Sequence, residues 1–245
     1  MVSHVPTKFV TCARERPIPG ILSSMPEPTD ARTTDARKLR VVGVSGSLKS
    51  PSRTIVLVDE IIASLGRHVQ IEPLAIRINE LGPSFAGALG RSELPNEVES
   101  ALQAIETADV LVVASPVYRA SFTGLFKHLF DFVDQYALVD TPILLAATGG
   151  SERHALIIEH QFRPLFGFFQ ALTLPVGVYA HDSDFTDYQI SSERLRERLE
   201  KAVVKAIPLI RSNVAEKDEI ARTIAGDRPP VEELPDPRRP VRLLS

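Results

Sequence analysis

The chain has 245 residues, a formal net charge of −3, 44% hydrophobic residues and 24% charged residues. These values are ordinary for a globular protein and provide no overall attraction for nucleic acid or an anionic membrane, so any anion-binding site must be local. The single cysteine, Cys12, excludes an internal disulfide and a cysteine-rich metal site. Because no apolar run approaches the roughly 20 residues that span a bilayer, we expect a cytoplasmic location.

Prolines mark the boundaries of the predicted folded domain. Of the 19 prolines, five lie in residues 1–38 and five in residues 226–245. Segments this rich in proline favour extended, poorly ordered chain. We therefore predict a disordered N-terminal extension over residues 1–38, one domain over 39–213, and a charged, proline-rich tail over 214–245.

Strands and helices alternate through the predicted domain. In chain order they are strand 39–45, helix 54–65, strand 69–76, helix 95–107, strand 110–114, helix 123–136, strand 142–148, helix 153–172, strand 176–180 and helix 191–211. Nearly continuous apolar strands separated by helices indicate a parallel sheet that is covered on both faces. The pattern predicts an α/β, flavodoxin-like, doubly wound five-stranded parallel sheet in the order 2-1-3-4-5, with its ligand at the carboxyl ends of the strands.

The loop after the first strand has the composition of an anion-binding turn. Gly46 permits close backbone approach. The hydroxyl donors and cations that follow it are Ser47, Lys49, Ser52, Arg53 and Thr54. Unpaired N–H groups and the helix dipole at the start of the next helix favour an anion there. The alternative is a polar turn in which Ser52 caps the helix.

Other phosphate and nucleophile motifs do not match this loop. It lacks G-x-x-x-x-G-K-[ST], and no G-x-G-x-x-G follows the strand. Gly43 to Ser47 resembles a nucleophile elbow but has serine in place of the last glycine. A P-loop, a dinucleotide-binding loop and a serine hydrolase are therefore disfavoured.

Two further loops follow the third and fourth predicted strands. The residues of interest are Pro116, Val117, Tyr118 and Arg119 in the first of these loops and Thr148, Gly149 and Gly150 in the second. Peptide N–H groups beside Pro116 can face a flat polar ring, and the two glycines let the backbone approach one. Each loop alone could be a plain turn. The three loops together predict a slot for a phosphate tail and a planar ring.

The segments GSLKSPSRT, ASPVYRASFTGLFKHLFD, ATGGSERHAL and LTLPVGVYA closely resemble the NAD(P)H-dependent FMN reductases that serve alkanesulfonate and methanesulfonate monooxygenases. The resemblance covers about residues 40–210. It implies FMN as the flavin, NAD(P)H as the reductant, and a separate flavin-dependent monooxygenase that receives reduced FMN.

By position, the resemblance assigns the phosphate to Ser47, Lys49, Ser52, Arg53 and Thr54. It places Pro116, Val117, Tyr118 and Arg119 around the flavin ring, with Thr148, Gly149 and Gly150 on the other polar edge. Lys49 departs from the arginine of many relatives. Because lysine lacks the bidentate fork of arginine, it would hold the phosphate less tightly.

The implied chemistry is hydride transfer from nicotinamide to flavin, which needs no side-chain nucleophile. No catalytic side chain is therefore assigned, and Tyr118 and Gly149 are expected to position the ring. Arg119 or Arg153 would meet the phosphates of the nicotinamide nucleotide, or would be ordinary surface charges.

Two alternatives share the fold: a quinone, azo-dye or chromate reductase that keeps FMN bound, and an electron-carrier flavodoxin. The modest charge of −3 and the absence of tryptophan argue against the carrier. No metal site is expected, because Asp182, Asp184 and Asp187 lack calcium-ligand spacing and are interpreted as a solvated loop.

Some relatives of this type carry a π-bulge in the helix that follows the Val-Tyr loop, with Phe122 and His128 as the candidate positions here. His128 is expected to be a packed or interfacial histidine. The four phenylalanines between Phe122 and Val133 suggest a dimer or tetramer face, with packing inside the domain as the alternative.

Overall fold

The computed structural model describes residues 37–226, so most of the predicted N-terminal extension and the last part of the predicted tail lie outside the described residues. The central strands are β1 (Leu39–Ser45), β2 (Ile71–Arg77), β3 (Val110–Pro116), β4 (Pro142–Gly149), β5 (Leu172–Thr173) and β6 (Val178–His181). All their pairings are parallel, and the sheet order is β2-β1-β3-β4-β5, with β6 also paired to β4. The predicted doubly wound order is confirmed.

The fifth position of the sheet is shared by two short strands. β5 pairs with the start of β4, whereas β6 pairs with its end. Pro175 lies between them and has no N–H to donate to a ladder, so the edge strand is interrupted there. The predicted strand over 176–180 corresponds to β6.

Helices cover both faces of the sheet. They are α1 (Arg53–His68), α2 (Gly82–Gly87), α3 (Asn96–Glu106), α4 (Gly124–Asp131), α5 (Arg163–Phe168) and α6 (Glu193–Gly226). Alternate residues of β3 enter two buried clusters, with Val110 and Val112 facing α1 and α6, and Leu111 and Val113 facing α3, α4 and α5. α6 continues through Gly226, beyond the predicted boundary at residue 213.

The long helix predicted after β4 is irregular. It begins as a single 3-10 turn at Glu152–His154, becomes a π-helix over Ile158–Phe162, and continues as α5. Pro164 has no N–H to donate to the carbonyl of His160, which prevents a regular α-helix at this point. The sequence left open whether the helix after the Val-Tyr loop carries a π-bulge, and the structure places the π-helix here, in the helix after β4.

The helix after the Val-Tyr loop is instead a regular helix that packs inside the domain. Phe126 and Phe130 of α4 are fully buried. His128 Nε2 lies 3.0 Å from the carbonyl oxygen of Phe85, and its ring packs against Phe85 and Phe132. These residues therefore pack inside the domain, which is the alternative that the sequence left open. No helix within residues 37–226 is long and apolar enough to cross a membrane.

A polar cluster joins α1 to α6. The Glu200 carboxylate accepts hydrogen bonds from Ser64 Oγ at 2.8 Å and Arg67 Nη2 at 3.0 Å, and lies 2.6 Å from His68 Nε2. These hydrogen bonds from Ser64, His68 and Arg67 lower the pKa of Glu200 to about 2. A carboxylate whose pKa is lowered by folding stabilises the protein fully at pH values above its unfolded-state pKa. This contribution to stability is lost as the pH falls through the folded-state pKa of about 2.

We expect Glu200→Gln to lower the free energy of unfolding at pH 7 by about 1 kcal/mol, a small value because the carboxylate is partly exposed. The deficit should shrink as the pH falls below about 4, where the unfolded-state carboxylate becomes protonated. Urea unfolding over a pH series measures this, with Glu197→Gln as the control on the exposed face of α6. A deficit that is independent of pH would contradict the assignment.

Candidate nucleotide-binding site

The predicted phosphate loop connects β1 to α1 at the carboxyl edge of the sheet. Gly46 begins it, and its N–H donates to the carbonyl of Ala114 at 2.7 Å. A Cβ at Gly46 would lie 2.8 Å from Ser115 Oγ and 2.9 Å from the Phe126 ring. The absence of a side chain therefore lets the loop pack against β3 and α4.

Two hydroxyl groups of this loop organise the loop itself. Ser47 Oγ donates to the Lys49 carbonyl at 3.0 Å and accepts from the Lys49 N–H at 3.3 Å. Ser52 Oγ accepts from the Thr54 N–H at 3.2 Å, which makes Ser52 the N-cap of α1. Ser52 therefore caps α1, as the alternative interpretation of the sequence proposed.

The first turn of α1 remains able to bind an anion. Among the described residues, no acceptor is bonded to the N–H groups of Arg53 and Ile55. The first turn contains no acidic side chain that would offset the positive end of the helix dipole. The side chains of Lys49 and Arg53 are exposed beside it. This combination of donors and charge fits a phosphate group.

A buried pair of hydroxyl groups joins the first loop to the third. Thr54 Oγ1 and Thr148 Oγ1 are 2.6 Å apart, and the two residues are only 1% and 4% exposed. The second loop joins the same point, because Pro116 pairs with Thr148 in the sheet and the Val117 N–H donates to the Thr148 carbonyl at 2.8 Å. The three predicted loops therefore lie together at one edge of the sheet.

The second loop is a tight turn with an exposed tip. The N–H groups of Tyr118 and Ser121 each donate to the other's carbonyl, at 2.8 and 3.1 Å. Arg119 and Ala120 complete the turn with φ angles of 50° and 65°, as in the two-residue turns that need positive φ at both positions. Tyr118 is 43% exposed. Its side chain is therefore accessible to a ligand.

The first glycine of the third loop packs against Tyr179. A Cβ at Gly149 would collide with the hydroxyl of Tyr179, which donates to the Ser151 carbonyl at 2.6 Å. Burial raises the pKa of Tyr179, so the phenol stays protonated and remains a donor. Gly149 is therefore required by the packing of Tyr179. Gly150, in contrast, is exposed.

The structure adds two residues that the sequence did not assign to the site. Arg53 Nη1 lies 3.2 Å from Asp182 Oδ1, and the guanidinium lies 5.8 Å from the centre of the Tyr188 ring. The interpretation of the aspartate segment as a solvated loop is wrong for Asp184, which is mostly buried and accepts from the His181 N–H at 2.9 Å and from Arg198 at 3.1 Å. No sequence signal links Arg53 to a residue 129 positions away.

Within residues 37–226, no group of three or more metal-ligating side chains is brought together. The candidate site consists of backbone donors, hydroxyl groups and two cations at the carboxyl edge of a doubly wound sheet. These features define a flavodoxin-like α/β protein whose β1–α1 loop is a candidate anion-binding site.

Comparison with known proteins identifies the family. The family model for the NADPH-dependent FMN reductases matches residues 39–186, more than half of the chain. The NADH-dependent FMN reductase SfnF of Pseudomonas fluorescens is 56% identical over 174 residues, which cover 71% of this chain and 93% of the relative. An FMN reductase (NADPH) of Pseudomonas aeruginosa is 52% identical over 69% of this chain and 91% of its own length.

A solved structure agrees with this relationship. An oxidoreductase from Corynebacterium diphtheriae superposes with a TM-score of 0.65 at 31% identity, covering 72% of this chain and 99% of the other. The chain therefore belongs to the NADPH-dependent FMN reductase family. The predicted family and the predicted class of enzyme, an NAD(P)H:FMN oxidoreductase, are confirmed.

We expect Gly149→Ala to lower the free energy of unfolding by about 1–3 kcal/mol, because the added methyl group must displace Tyr179. Combining it with Tyr179→Phe should recover part of the loss, since the nearest Tyr179 atom would then be Cζ at 3.3 Å. Urea unfolding of both single variants and the double variant measures the coupling. Strictly additive losses would contradict this role of Gly149.

Gly124→Ala serves as the control. A Cβ at Gly124 would have no atom within 4 Å, so this substitution tests the effect of adding a methyl group without a clash. We expect it to leave stability within about 0.5 kcal/mol or to raise it, because alanine favours a helix more than glycine does.

Proposed function

We propose that this chain is an NAD(P)H-dependent FMN reductase whose FMN phosphate is held over the first turn of α1. The observation that carries the proposal is the meeting of three loops around the Thr54–Thr148 hydroxyl pair, next to a helix N-terminus that still has free donors. The names of the relatives support both FMN and a nicotinamide nucleotide as ligands.

The residues proposed for the phosphate are those of the first loop: Gly46, Ser47, Lys49, Ser52, Arg53 and Thr54. The two N–H groups that lack an acceptor, at Arg53 and Ile55, would donate to phosphate oxygens. Arg53 would contribute a charge-assisted pair of hydrogen bonds and Lys49 a single charge. Ser47, Ser52 and Thr54 are already hydrogen-bonded within the protein, so they would chiefly fix the loop's shape.

The proposed ring site lies between the second and third loops. Its residues are Pro116, Val117, Tyr118 and Arg119 from the second loop and Thr148, Gly149 and Gly150 from the third. Bound FMN supplies the hydride-accepting chemistry. The protein's contribution is to orient the ring through Tyr118, to hold the third loop through Gly149 and Tyr179, and to offer backbone N–H groups near Gly150 to negative charge.

We propose that reduced FMN passes to a separate flavin-dependent, sulfonate-type monooxygenase, and that the enzyme works in the cytoplasm as a homo-oligomer. The partner class rests on the resemblance of the loop segments, and the relatives SfnF and SfnE support the FMN reductase activity that would supply it. The homo-oligomer, a dimer or tetramer, stays a prediction from the sequence, because Phe126 and Phe130 of the helix that suggested it are buried within the domain. The nicotinamide is left as NAD(P)H, because the relatives are named for NADH and for NADPH.

Steady-state kinetics with free FMN and, separately, with a quinone test the activity. We expect nicotinamide oxidation to saturate with added FMN and to yield free reduced FMN, which a flavin-dependent monooxygenase can use. Saturation with quinone but not with FMN would favour the alternative reductase that keeps its flavin bound.

We expect Arg53→Ala to weaken FMN binding by about 1.5–3 kcal/mol through loss of a charge-assisted phosphate contact. Fluorescence titration of FMN into the flavin-free protein measures this without catalysis. Arg67→Ala is the control, because this substitution removes the same charge about 21 Å away, at the other end of α1. Equal effects of the two variants would remove Arg53 from the proposed site.

A further inference from the structure

Arg53 already holds an anion, and the chain itself supplies it. Asp182 Oδ1 lies 3.2 Å from Arg53 Nη1, with both side chains partly exposed, at 47% and 43%. Within residues 37–226, this is the only hydrogen bond or ion pair formed by the Asp182 carboxylate. The carboxylate also borders the third loop, because a Cβ at Gly150 would lie 3.2 Å from Asp182 Oδ2.

We propose that Asp182 competes with the phosphate of FMN for Arg53, and that this competition loosens flavin binding and speeds flavin release. The inference rests on the proposed function of Arg53 as a phosphate ligand. It assigns to Asp182 a positioning role that acts through Arg53 rather than through contact with the flavin.

The competition follows from charge. A phosphate monoester carries about −1.5 to −2 charges at pH 7, so a carboxylate on the same guanidinium repels the phosphate when both are near. Arg53 can satisfy one anion fully with its fork of donors, and the carboxylate must withdraw for the phosphate to use the whole fork. Protein in which Arg53 is paired with Asp182 cannot offer the whole fork to FMN. The apparent affinity for FMN is therefore lower than the intrinsic affinity, in proportion to the fraction of protein in which Arg53 is unpaired.

The backbone that carries Asp182 is fixed, so the carboxylate stays within reach of Arg53. The His181 side chain accepts from the Ser183 N–H, and the His181 N–H donates to Asp184 Oδ2 at 2.9 Å, forming a reciprocal cap around the 3-10 turn Asp182–Asp184. Arg198 of α6 also holds Asp184, at 3.1 Å. Asp182 is the member of this turn that is left to face Arg53.

Tyr188 provides a second contact from the same segment. Strands β7 (Phe185–Thr186) and β8 (Gln189–Ile190) form a small antiparallel hairpin whose turn is Asp187 and Tyr188, with φ angles of 48° and 60°. Positive φ is rare for a bulky aromatic residue. This turn places the Tyr188 ring 5.8 Å from the Arg53 guanidinium. The segment after β6 therefore restrains Arg53 by charge and by its aromatic face.

The strength of this restraint suits an enzyme that must release its product. Partly exposed ion pairs are weak, so Asp182 should shift FMN affinity by a small factor and leave binding possible. The lysine at position 49, in place of a bidentate arginine, would act in the same direction.

The experiment compares Asp182→Asn with Asp187→Asn. Both variants remove one negative charge from the same segment, but Asp187 makes no ion pair within the described residues, and asparagine tolerates its positive φ. We expect Asp182→Asn to lower the FMN dissociation constant about two- to fivefold, with a slower dissociation rate. Asp187→Asn should leave both values within about 1.5-fold of wild type, because its effect is limited to screened long-range charge.

A double-variant cycle with Arg53→Ala tests whether Asp182 acts through Arg53. In the Arg53→Ala background, Asp182→Asn should tighten FMN binding no more than Asp187→Asn does. In steady state, Asp182→Asn should lower the KM for FMN without raising kcat. The affinity gain should also shrink in 1 M salt, where the screening length is about 3 Å. A merely structural role would not produce this dependence on salt and on Arg53.

Equal tightening by the two asparagine variants, or tightening by Asp182→Asn that persists without Arg53, would overturn the proposal. So would an unchanged FMN dissociation constant in Asp182→Asn when Arg53→Ala weakens binding, and in that case the phosphate role of Arg53 would stand. Failure of the proposed function is a different result: wild-type protein that does not bind FMN, or Arg53→Ala that binds it normally.

Discussion

The hydrogen bond between the buried hydroxyl groups of Thr54 and Thr148 is the contact on which the site depends. It joins the first turn of α1 to the end of β4, across the intervening strand β3. Two buried hydroxyls without partners would be unfavourable, so each holds the other in place. As a result, the N-terminus of α1 and the third loop have a fixed relation before any ligand arrives, which reduces the ordering cost of binding.

The residues around this pair divide into those that shape the site and those that remain free for a ligand. Gly46, Gly149 and Ser52 are occupied by protein contacts: Gly46 against β3 and α4, Gly149 against Tyr179, and Ser52 as a helix cap. The exposed groups are Lys49, Arg53, Tyr118 and the Gly150 backbone. The small and hydroxyl residues of the loops therefore mostly stabilise the loop conformation, whereas the charged and aromatic residues are exposed and accessible to a ligand.

Much of the fold could be predicted because the sequence signals are local. Nearly continuous apolar strands such as Val110 to Ala114 indicate a parallel sheet, and the spacing of loops along it indicates which strand ends meet. The position of the π-helix could not be read from the sequence: it lies over Ile158–Phe162, in a helix interrupted by Pro164, and not in the regular helix that follows Tyr118. The three loops could be proposed as a site because each follows a strand directly, and the structure brings them to one edge of the sheet.

The pairing of Arg53 with Asp182 could not be predicted from the sequence. It depends on where the turn after β6 places a side chain 129 positions from its partner, and neither residue has a distinctive neighbourhood in the sequence. The roles of Gly46 and Gly149 were obscured for a related reason. A glycine in a loop indicates close approach of some group, but only the packed structure shows that Phe126 and Tyr179 are among the groups that approach these two glycines.

The most direct test of the account compares the affinities of the flavin-free protein for FMN and for riboflavin, which differ only in the phosphate. If the first turn of α1 holds that phosphate through N–H groups and Arg53, FMN should bind at least tenfold more tightly than riboflavin at low salt, because one charge-assisted contact contributes about 1.5–3 kcal/mol. Equal affinities for the two flavins would contradict the central claim.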